Sequence, residues 1–234
     1  MPIYNAPLLQ IDAKETRRYA GLQKAENFSE ERILNACEEA ALLAAPRGIW
    51  EIYPYDCAAQ TVLDESPFAI EGKSVGKHLA GCEKIILLAA TVGEAVESQV
   101  TKLFEDGEYS ASVLLDAAAT AAVEQIADAM EKTIRQKMAR EGYTMRWRFS
   151  PGYGDWPLEQ QPELIRLSRA EEIDIRLSAA LMLIPRKSIT AAIGLAETPR
   201  QANPHTRPKA APPATNGTVL RASFRMPETS HRQI

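Results

Sequence analysis

One long amphipathic helix dominates the chain. Residues 110–140 read SASVLLDAAATAAVEQIADAMEKTIRQKMAR. Apolar side chains recur every three or four residues, which is the spacing of a single helix face. That face consists of Leu115, Ala119, Ala122, Val123, Ile126, Met130 and Ile134, and the polar face of Glu124, Asp128, Glu131 and Arg135. The small side chains of residues 117–122 let another element approach closely, so we predict that this helix is the scaffold of the fold.

A buried strand lies upstream of this helix. Residues Lys84–Thr91 form a continuous apolar run with the length of a strand that is covered on both faces. A further helix is predicted from Gly93 to about Phe104. The other predicted helices span residues 12–19, 29–45, 74–80 and 158–168, and the other predicted strands span residues 49–55, 143–149, 173–184 and 188–195.

Local signals define several of these elements. Asp12 is followed by Glu15 at the spacing of a capping box, and Ser29 can cap the second helix. Residues 49–55 alternate and contain a proline, as in a strand at a sheet margin. The runs 173–184 and 188–195 flank a short turn and predict an antiparallel hairpin. Helices and strands do not alternate regularly, so we predict an α+β fold and not a doubly wound one.

The composition is that of an ordinary globular protein. The chain has 234 residues, of which 45% are apolar and 25% charged, with a net charge of −4. Residues 199–234 carry a net charge of +5 and many prolines, which leaves −9 on residues 1–198. We predict one domain over residues 1–198 and a disordered tail that is dispensable for folding over residues 199–234. Nothing indicates a signal peptide, a membrane span or nucleic-acid binding, so a cytoplasmic location is expected.

The most unusual segment is residues 148–157, which read RFSPGYGDWP. Its glycines allow close approach of a ligand to the backbone, and its prolines restrict the loop in advance. Arg148 offers a planar fork of donors for a carboxylate, while Tyr153 and Trp156 offer flat apolar faces. The segment therefore suits a zwitterionic ligand with a flat ring. The alternative is a rigid structural turn anchored by Trp156.

Several motifs of common enzymes are missing from the sequence. It contains no GxGxxG, no P-loop and no Asp-x-His-x-x-Gly, the usual cobalt-ligating motif of cobalamin proteins. His78, His205 and His231 are isolated, and His78 is expected to be a packed or surface residue. Cys37, Cys57 and Cys82 form no CxxC pair and are expected to be reduced thiols. We therefore assign no catalytic residue and no metal ligand.

The loop resembles the signature of the activation domain of cobalamin-dependent methionine synthase. That signature is an arginine, two variable residues, Pro-Gly-Tyr and a later proline, here Arg148, Pro151, Gly152, Tyr153 and Pro157. Residues 175–190, with MLIPRKSIT, look like the paired strands of that family, and residues 15–21 and 79–93 are similar to its short, separately encoded version. The resemblance covers about residues 11–195 and implies a mainly antiparallel sheet with a long central helix and flanking helices.

This resemblance implies a function and a set of ligands. The family domain binds S-adenosylmethionine and supplies the methyl group that, with one electron, returns cob(II)alamin to methylcobalamin. The implied partners are a methionine synthase core that lacks its own activation domain and holds the cobalamin, and a reductant such as flavodoxin or ferredoxin. By the same resemblance Arg148 would hold the methionine carboxylate and Tyr153 would pack or hydrogen-bond. The backbone of Gly152 and its neighbours Ser150, Pro151 and Gly154 would contact the ligand.

The sequence also departs from the family pattern. Ala179 and Ala180 stand where the first hairpin strand often has an acid, and Ala192 and Ile193 stand where the long enzymes have an aromatic pair. These changes predict an altered pocket. The alternatives to an accessory subunit are a binding module for S-adenosylmethionine or a corrinoid protein without methyl transfer, and a purely structural subunit.

Overall fold

A six-stranded antiparallel sheet forms the centre of the fold. The computed structural model describes residues 3–5, 8 and 10–198. The helices are α1 (Ala13–Tyr19), α2 (Glu30–Leu43), α3 (Lys73–His78), α4 (Ala95–Glu105), α5 (Tyr109–Arg140) and α6 (Gln161–Ser168). The strands are β1 (Arg47–Asp56), β2 (Thr61–Val62), β3 (Phe68–Ala69), β4 (Lys84–Thr91), β5 (Tyr143–Met145), β6 (Arg176–Leu177), β7 (Leu183–Ile184) and β8 (Ser188–Glu197). Single 3-10 turns occupy Leu158–Gln160 and Ala170–Ile173.

Strand β4 lies inside the sheet, whose order is β3-β2-β1-β4-β8-β5. It pairs along its whole length with β1 on one side and with β8 on the other. Every residue of β4 after Lys84 is buried, as the continuous apolar run predicts. The predicted sheet margin at residues 49–55 is only partly right. Strand β1 is an inner strand, but its outer side pairs only near its ends, through Tyr4 and through β2.

Both faces of the sheet are covered, and β4 contributes to both. Ile86, Leu88 and Ala90 belong to one core, which includes the apolar side chains of α2 and α5. Ile85 and Leu87 belong to the other core, which includes α3, α6 and Trp156. The period-2 alternation of a strand thus divides one apolar run between two layers of helices. This is the predicted α+β fold with a long central helix and flanking helices.

Helix α5 behaves as its sequence pattern predicts. All seven side chains of its predicted apolar face are buried. The sheet lies close to this helix at Gly48 of β1, where an added Cβ atom would lie 2.2 Å from the sulfur of Met130. Only glycine fits at position 48 without a shift of Met130. The close packing of β1 against α5 therefore depends on the absence of a side chain there.

The helix caps are partly as predicted. The Asp12 carboxylate accepts the backbone N–H groups of Lys14 and Glu15, and Ser29 accepts that of Arg32. The reciprocal half of the capping box is wrong, because Glu15 pairs with Arg18 instead. The Asp12 N–H donates to the Gln125 side chain of α5 at 2.9 Å and not to Glu15. This bond connects the start of α1 to α5.

The predicted hairpin of residues 173–184 with 188–195 is wrong. Strands β6 and β7 pair with each other around a tight turn in which Leu181 has a φ of 60°. Strand β8 pairs with β4 and β5 and is almost entirely buried. Strand β8 has apolar side chains on both faces, and only the large sheet can bury both. It therefore pairs with β4 and β5 and not with β7, the strand before it in the sequence.

The predicted strand of residues 143–149 is interrupted. Its regular pairing with β8 ends at Met145, opposite Leu195, and resumes at an isolated bridge between Phe149 and Ala192. Three residues, 146–148, therefore face only Ile193 and Gly194. The extra residue takes Trp147 and Arg148 out of the regular ladder, as a β-bulge does.

Residues 199–234 lie outside the described part of the chain, so the predicted tail remains a prediction. None of the described helices is long and apolar enough to cross a membrane.

Matched leucine substitutions test the assignment of the core. Leu87→Ala removes a fully buried side chain from β4 and should lower the free energy of unfolding by about 2–5 kcal/mol. Leu42→Ala removes a side chain that is 86% exposed and should change it by less than about 0.5 kcal/mol. Urea unfolding followed by circular dichroism measures both, and equal effects would contradict the placement of β4.

Candidate functional site

A cleft of about 670 Å³ lies between helix α5, the segment that follows β5 and the connection from β7 to β8. This is within the range of about 300–1,000 Å³ that is typical of small-molecule sites. The cleft is lined by Thr120, Val123, Glu124, Trp147, Arg148, Phe149, Ser150, Pro151, Tyr153, Leu158, Gln161, Leu181, Met182, Leu183, Arg186, Lys187, Ser188, Ile189 and Thr190. Four of the six predicted site residues are among them, namely Arg148, Ser150, Pro151 and Tyr153.

The other two predicted residues, Gly152 and Gly154, shape the loop and do not line the cleft. Both have positive φ angles, 86° and 59°, that disfavour any residue with a Cβ atom. A Cβ atom on Gly154 would lie 3.5 Å from Ser74, so this glycine faces α3. The Gly152 N–H donates to the carbonyl of Trp156 at 2.9 Å, which closes the turn.

Trp156 anchors the loop instead of offering a ring face to a ligand. Its side chain is 1% exposed and packs in the core beneath the sheet. Its Nε1–H donates to Gln160 at 2.7 Å. The alternative of a rigid, Trp-anchored turn is therefore correct for this end of the segment, and the turn is also one wall of the cleft.

Two side chains bond the loop to α3 and to the segment that precedes this helix. The Asp155 carboxylate accepts the N–H groups of Lys73 and Ser74 at 2.7 and 2.9 Å, at the start of that helix. The hydrogen bond from the Ser74 N–H, with that from Lys73, holds the pKa of Asp155 below its ordinary value of 3.8. Gln160 bonds to the backbone of Ala69 and Glu71. These bonds could not be predicted from the sequence, because the partners are more than 80 residues apart.

Arg148 is held by three carboxylates of helix α5. Its guanidinium donates to Asp128 at 2.6 Å, to Glu124 at 2.7 Å and to Glu131 at 3.0 Å, and its backbone N–H donates to Glu131 at 3.2 Å. The predicted polar face of α5 is thus not simply solvated, since three of its charges meet Arg148. One guanidinium against three carboxylates leaves a net charge of −2.

The guanidinium remains charged in this position. Burial opposes its charge, but the hydrogen bonds to Asp128 and Glu124 outweigh that effect and raise the pKa of Arg148. Three of its five N–H donors bond to carboxylates. Within the described residues, two donors therefore remain for a ligand. A ligand carboxylate would have to bind to these two donors, although three protein carboxylates surround the same guanidinium.

Two further cations line the cleft that sequence reasoning did not assign to the site. Lys187 pairs with Asp116 at 2.9 Å and donates to the Thr120 hydroxyl at 2.8 Å. Arg186 pairs with Glu97 at 3.0 Å. Every cation that lines the cleft is thus paired with an acid. Glu124 is the one acid among the lining residues, and the other acids that pair with these cations lie outside the lining.

The four residues that depart from the family pattern lie outside the cleft. Ala192 and Ile193 are fully buried in the two cores on opposite faces of β8. Ala179 and Ala180 lie in the exposed turn between β6 and β7. None of the four lines the cleft. The flat faces at the cleft come from Trp147, Phe149 and Tyr153.

Comparisons with known proteins give a structural match only. No family model matches the chain, and no curated protein matches it. Among solved structures, the chain is similar to a crystal structure of the MetH reactivation domain bound to AdoHcy, with a TM-score of 0.59 and 13% identity. The match covers 87% of this chain and 80% of that chain.

The chain has the reactivation-domain fold. At this low identity the match establishes the shared architecture of mixed helices and antiparallel sheet, as the loop motif predicts. The reactivation domain in that crystal structure holds AdoHcy.

The bond between Asp155 and α3 should depend on pH. Because the pKa of Asp155 is lowered by folding, its contribution to stability is present above pH 3.8 and is lost as the pH falls through the lowered value. Asp155→Asn should therefore lower Tm at pH 7 and converge with wild type only when the pH is below the lowered pKa of Asp155. Asp106→Asn, at an exposed position beyond α4, is the control. A difference that persists unchanged in acid would exclude the carboxylate as its cause.

Proposed function

We propose that this chain binds S-adenosylmethionine in the cleft beside Arg148 and serves as a separate accessory subunit for reductive reactivation of cobalamin-dependent methionine synthase. The observation that carries the proposal is the position of the Arg148–Tyr153 segment. It forms a wall of a ligand-sized cleft, in a chain with the fold of a domain that has been crystallised with AdoHcy. AdoHcy is what S-adenosylmethionine becomes when its methyl group has left.

The three acids that surround Arg148 support this ligand. S-adenosylmethionine carries a sulfonium, an ammonium and a carboxylate, so it is a cation near neutral pH. The surplus acid around Arg148 would attract the two cationic groups. The two donors of Arg148 that its acid partners leave would meet the carboxylate. Ser150 cannot give its hydroxyl proton to the ligand, since that proton is donated to the Thr190 carbonyl at 2.7 Å.

The proposed reaction needs position and not proton transfer. The cobalt of the partner's cobalamin, once reduced by one electron, would take the methyl group, and the electrons of the broken carbon–sulfur bond would remain on sulfur. The sulfonium is already activated, so the residues of this chain have to bind, orient and exclude water. Good placement alone can contribute about 7–11 kcal/mol to lowering a barrier. The paired and tethered side chains of the cleft suit that task.

The mouth of the cleft supports an accessory role. Tyr153 is 69% exposed and Met182 55% exposed, and Leu158 lies beside them in the lining. Large apolar side chains that remain exposed around a cleft often mark a surface that a partner covers. The proposed partner is a methionine synthase core that holds the cobalamin, with a protein such as flavodoxin or ferredoxin as the electron donor.

Titration calorimetry with S-adenosylmethionine tests the site. Arg148→Ala should weaken binding by roughly 1.5–3 kcal/mol, the scale of hydrogen bonds to charged groups. The control is Arg166→Ala, which removes another arginine with two acid partners, Asp64 and Glu163, outside the cleft. Circular dichroism checks that both variants fold. Equal affinities in folded wild type and Arg148→Ala would remove Arg148 from the site.

A reconstitution assay tests the accessory role. The protein is mixed with a methionine synthase that lacks its activation domain and is poised as cob(II)alamin, together with a reductant and S-adenosylmethionine. Methylcobalamin should form, as seen in the absorption spectrum, only when all components are present. If S-adenosylmethionine binds but the synthase reactivates equally fast without this chain, the chain is a binding module without methyl transfer.

A further inference from the structure

Trp147 is an exposed tryptophan at the edge of the cleft. Its side chain is 67% exposed, whereas the other two tryptophans, Trp50 and Trp156, are 7% and 1% exposed. It lines the cleft beside Arg148, in the interrupted part of the strand where three residues face two. A ring of this size gains most from burial, so a position that leaves it in water needs a reason beyond folding.

His78 holds Trp147 in this position. The imidazole Nε2 bonds to the Trp147 carbonyl at 2.8 Å, and the two rings lie with their centroids 4.3 Å apart. The Phe149 ring is tilted against the same imidazole, and the centroids of these two rings are 5.6 Å apart. His78 ends α3, the helix whose start is capped by Asp155 at the far end of the loop. Helix α3 therefore fixes the site segment at both ends.

This arrangement makes Trp147 a preorganised platform. One side of the indole is in contact with the imidazole, and the ring also borders the cleft. Because the backbone and one side are already fixed, a ligand that stacks on the ring loses little conformational entropy in doing so. The platform has no charge, so it suits a flat, neutral, aromatic group. The charged side chains of the cleft bond to α5 instead, Arg148 to Glu124 and Lys187 to the Thr120 hydroxyl.

We propose that the adenine ring of the bound nucleoside stacks on Trp147, with His78 as the residue that positions the indole. The proposal rests on the proposed function for the identity of the ligand. It divides the ligand between two parts of the cleft. Trp147 takes the flat base, and the charged residues around Arg148 take the amino-acid half.

Calorimetry with S-adenosylmethionine and with adenosine tests this division. Trp147→Ala should weaken the binding of both about five- to 150-fold, which corresponds to the contribution of one stacked base. Trp147→Phe keeps a ring and should restore most of the affinity. Phe104→Ala removes another exposed aromatic, outside the cleft, and should have no effect. His78→Ala should weaken binding less than Trp147→Ala, and circular dichroism checks the fold of each variant.

Tryptophan fluorescence of the unaltered protein gives a second readout. Since the other tryptophans are buried, quenching by acrylamide reports mainly on Trp147, and bound ligand should reduce it. If S-adenosylmethionine binds equally well to wild type and Trp147→Ala and leaves quenching unchanged, the platform is wrong and the proposed function stands. If adenosine binds and protects the indole but S-adenosylmethionine does not bind, the proposed function fails and the platform stands. Binding of neither compound to wild type overturns both.

Discussion

An ion-pair cluster joins helix α5 to the Arg148–Tyr153 segment, which forms a wall of the cleft. It consists of Arg148, Glu124, Asp128 and Glu131. The three acids are spaced four and three residues apart, so they lie on one face of α5 and repel one another. A guanidinium among them removes much of that repulsion and gains charge-assisted hydrogen bonds. Loss of Arg148 would leave Glu131, which is only 15% exposed, without its cation. The wall of the cleft and the polar face of α5 therefore depend on each other.

A second set of contacts holds the same loop from the opposite side. Asp155 and Gln160 bond to the backbone around the start of α3, and His78 at its end bonds to Trp147. The glycines at positions 152 and 154 permit the turn between these attachments. A loop that is fixed at both ends and ion-paired through Arg148 is preorganised, which lowers the entropy cost of binding. The proposed methyl transfer needs placement of the ligand and no proton transfer, and such a loop would supply that placement.

Much of the fold follows from local pattern in the sequence. The apolar run of β4 and the apolar stripe of α5 are predicted with their correct character, because burial imposes a period that the sequence records. The partner of β8 is not predicted, since pairing between distant strands depends on what else can cover them. The fold class, and the architecture that the family resemblance implies, are confirmed by the reactivation-domain match.

The candidate site is predicted less completely than the fold. Arg148, Ser150, Pro151 and Tyr153 line the cleft, but Arg186, Lys187 and Trp147 were not assigned to it from the sequence. The ion pairs of Arg148 could have been anticipated from the sequence, because three acids on one face of a helix favour a cation beside them. The bonds of Asp155 and His78 could not, since their partners are distant along the chain.

We propose that S-adenosylmethionine binds in the cleft between α5 and the Arg148–Tyr153 segment. A crystal structure of the protein grown with S-adenosylmethionine would show whether it does. The amino-acid half of the ligand should lie beside Arg148 and Glu124, with the adenine against Trp147. Ligand bound elsewhere on the chain, with an empty cleft and an unchanged Arg148 cluster, would contradict it.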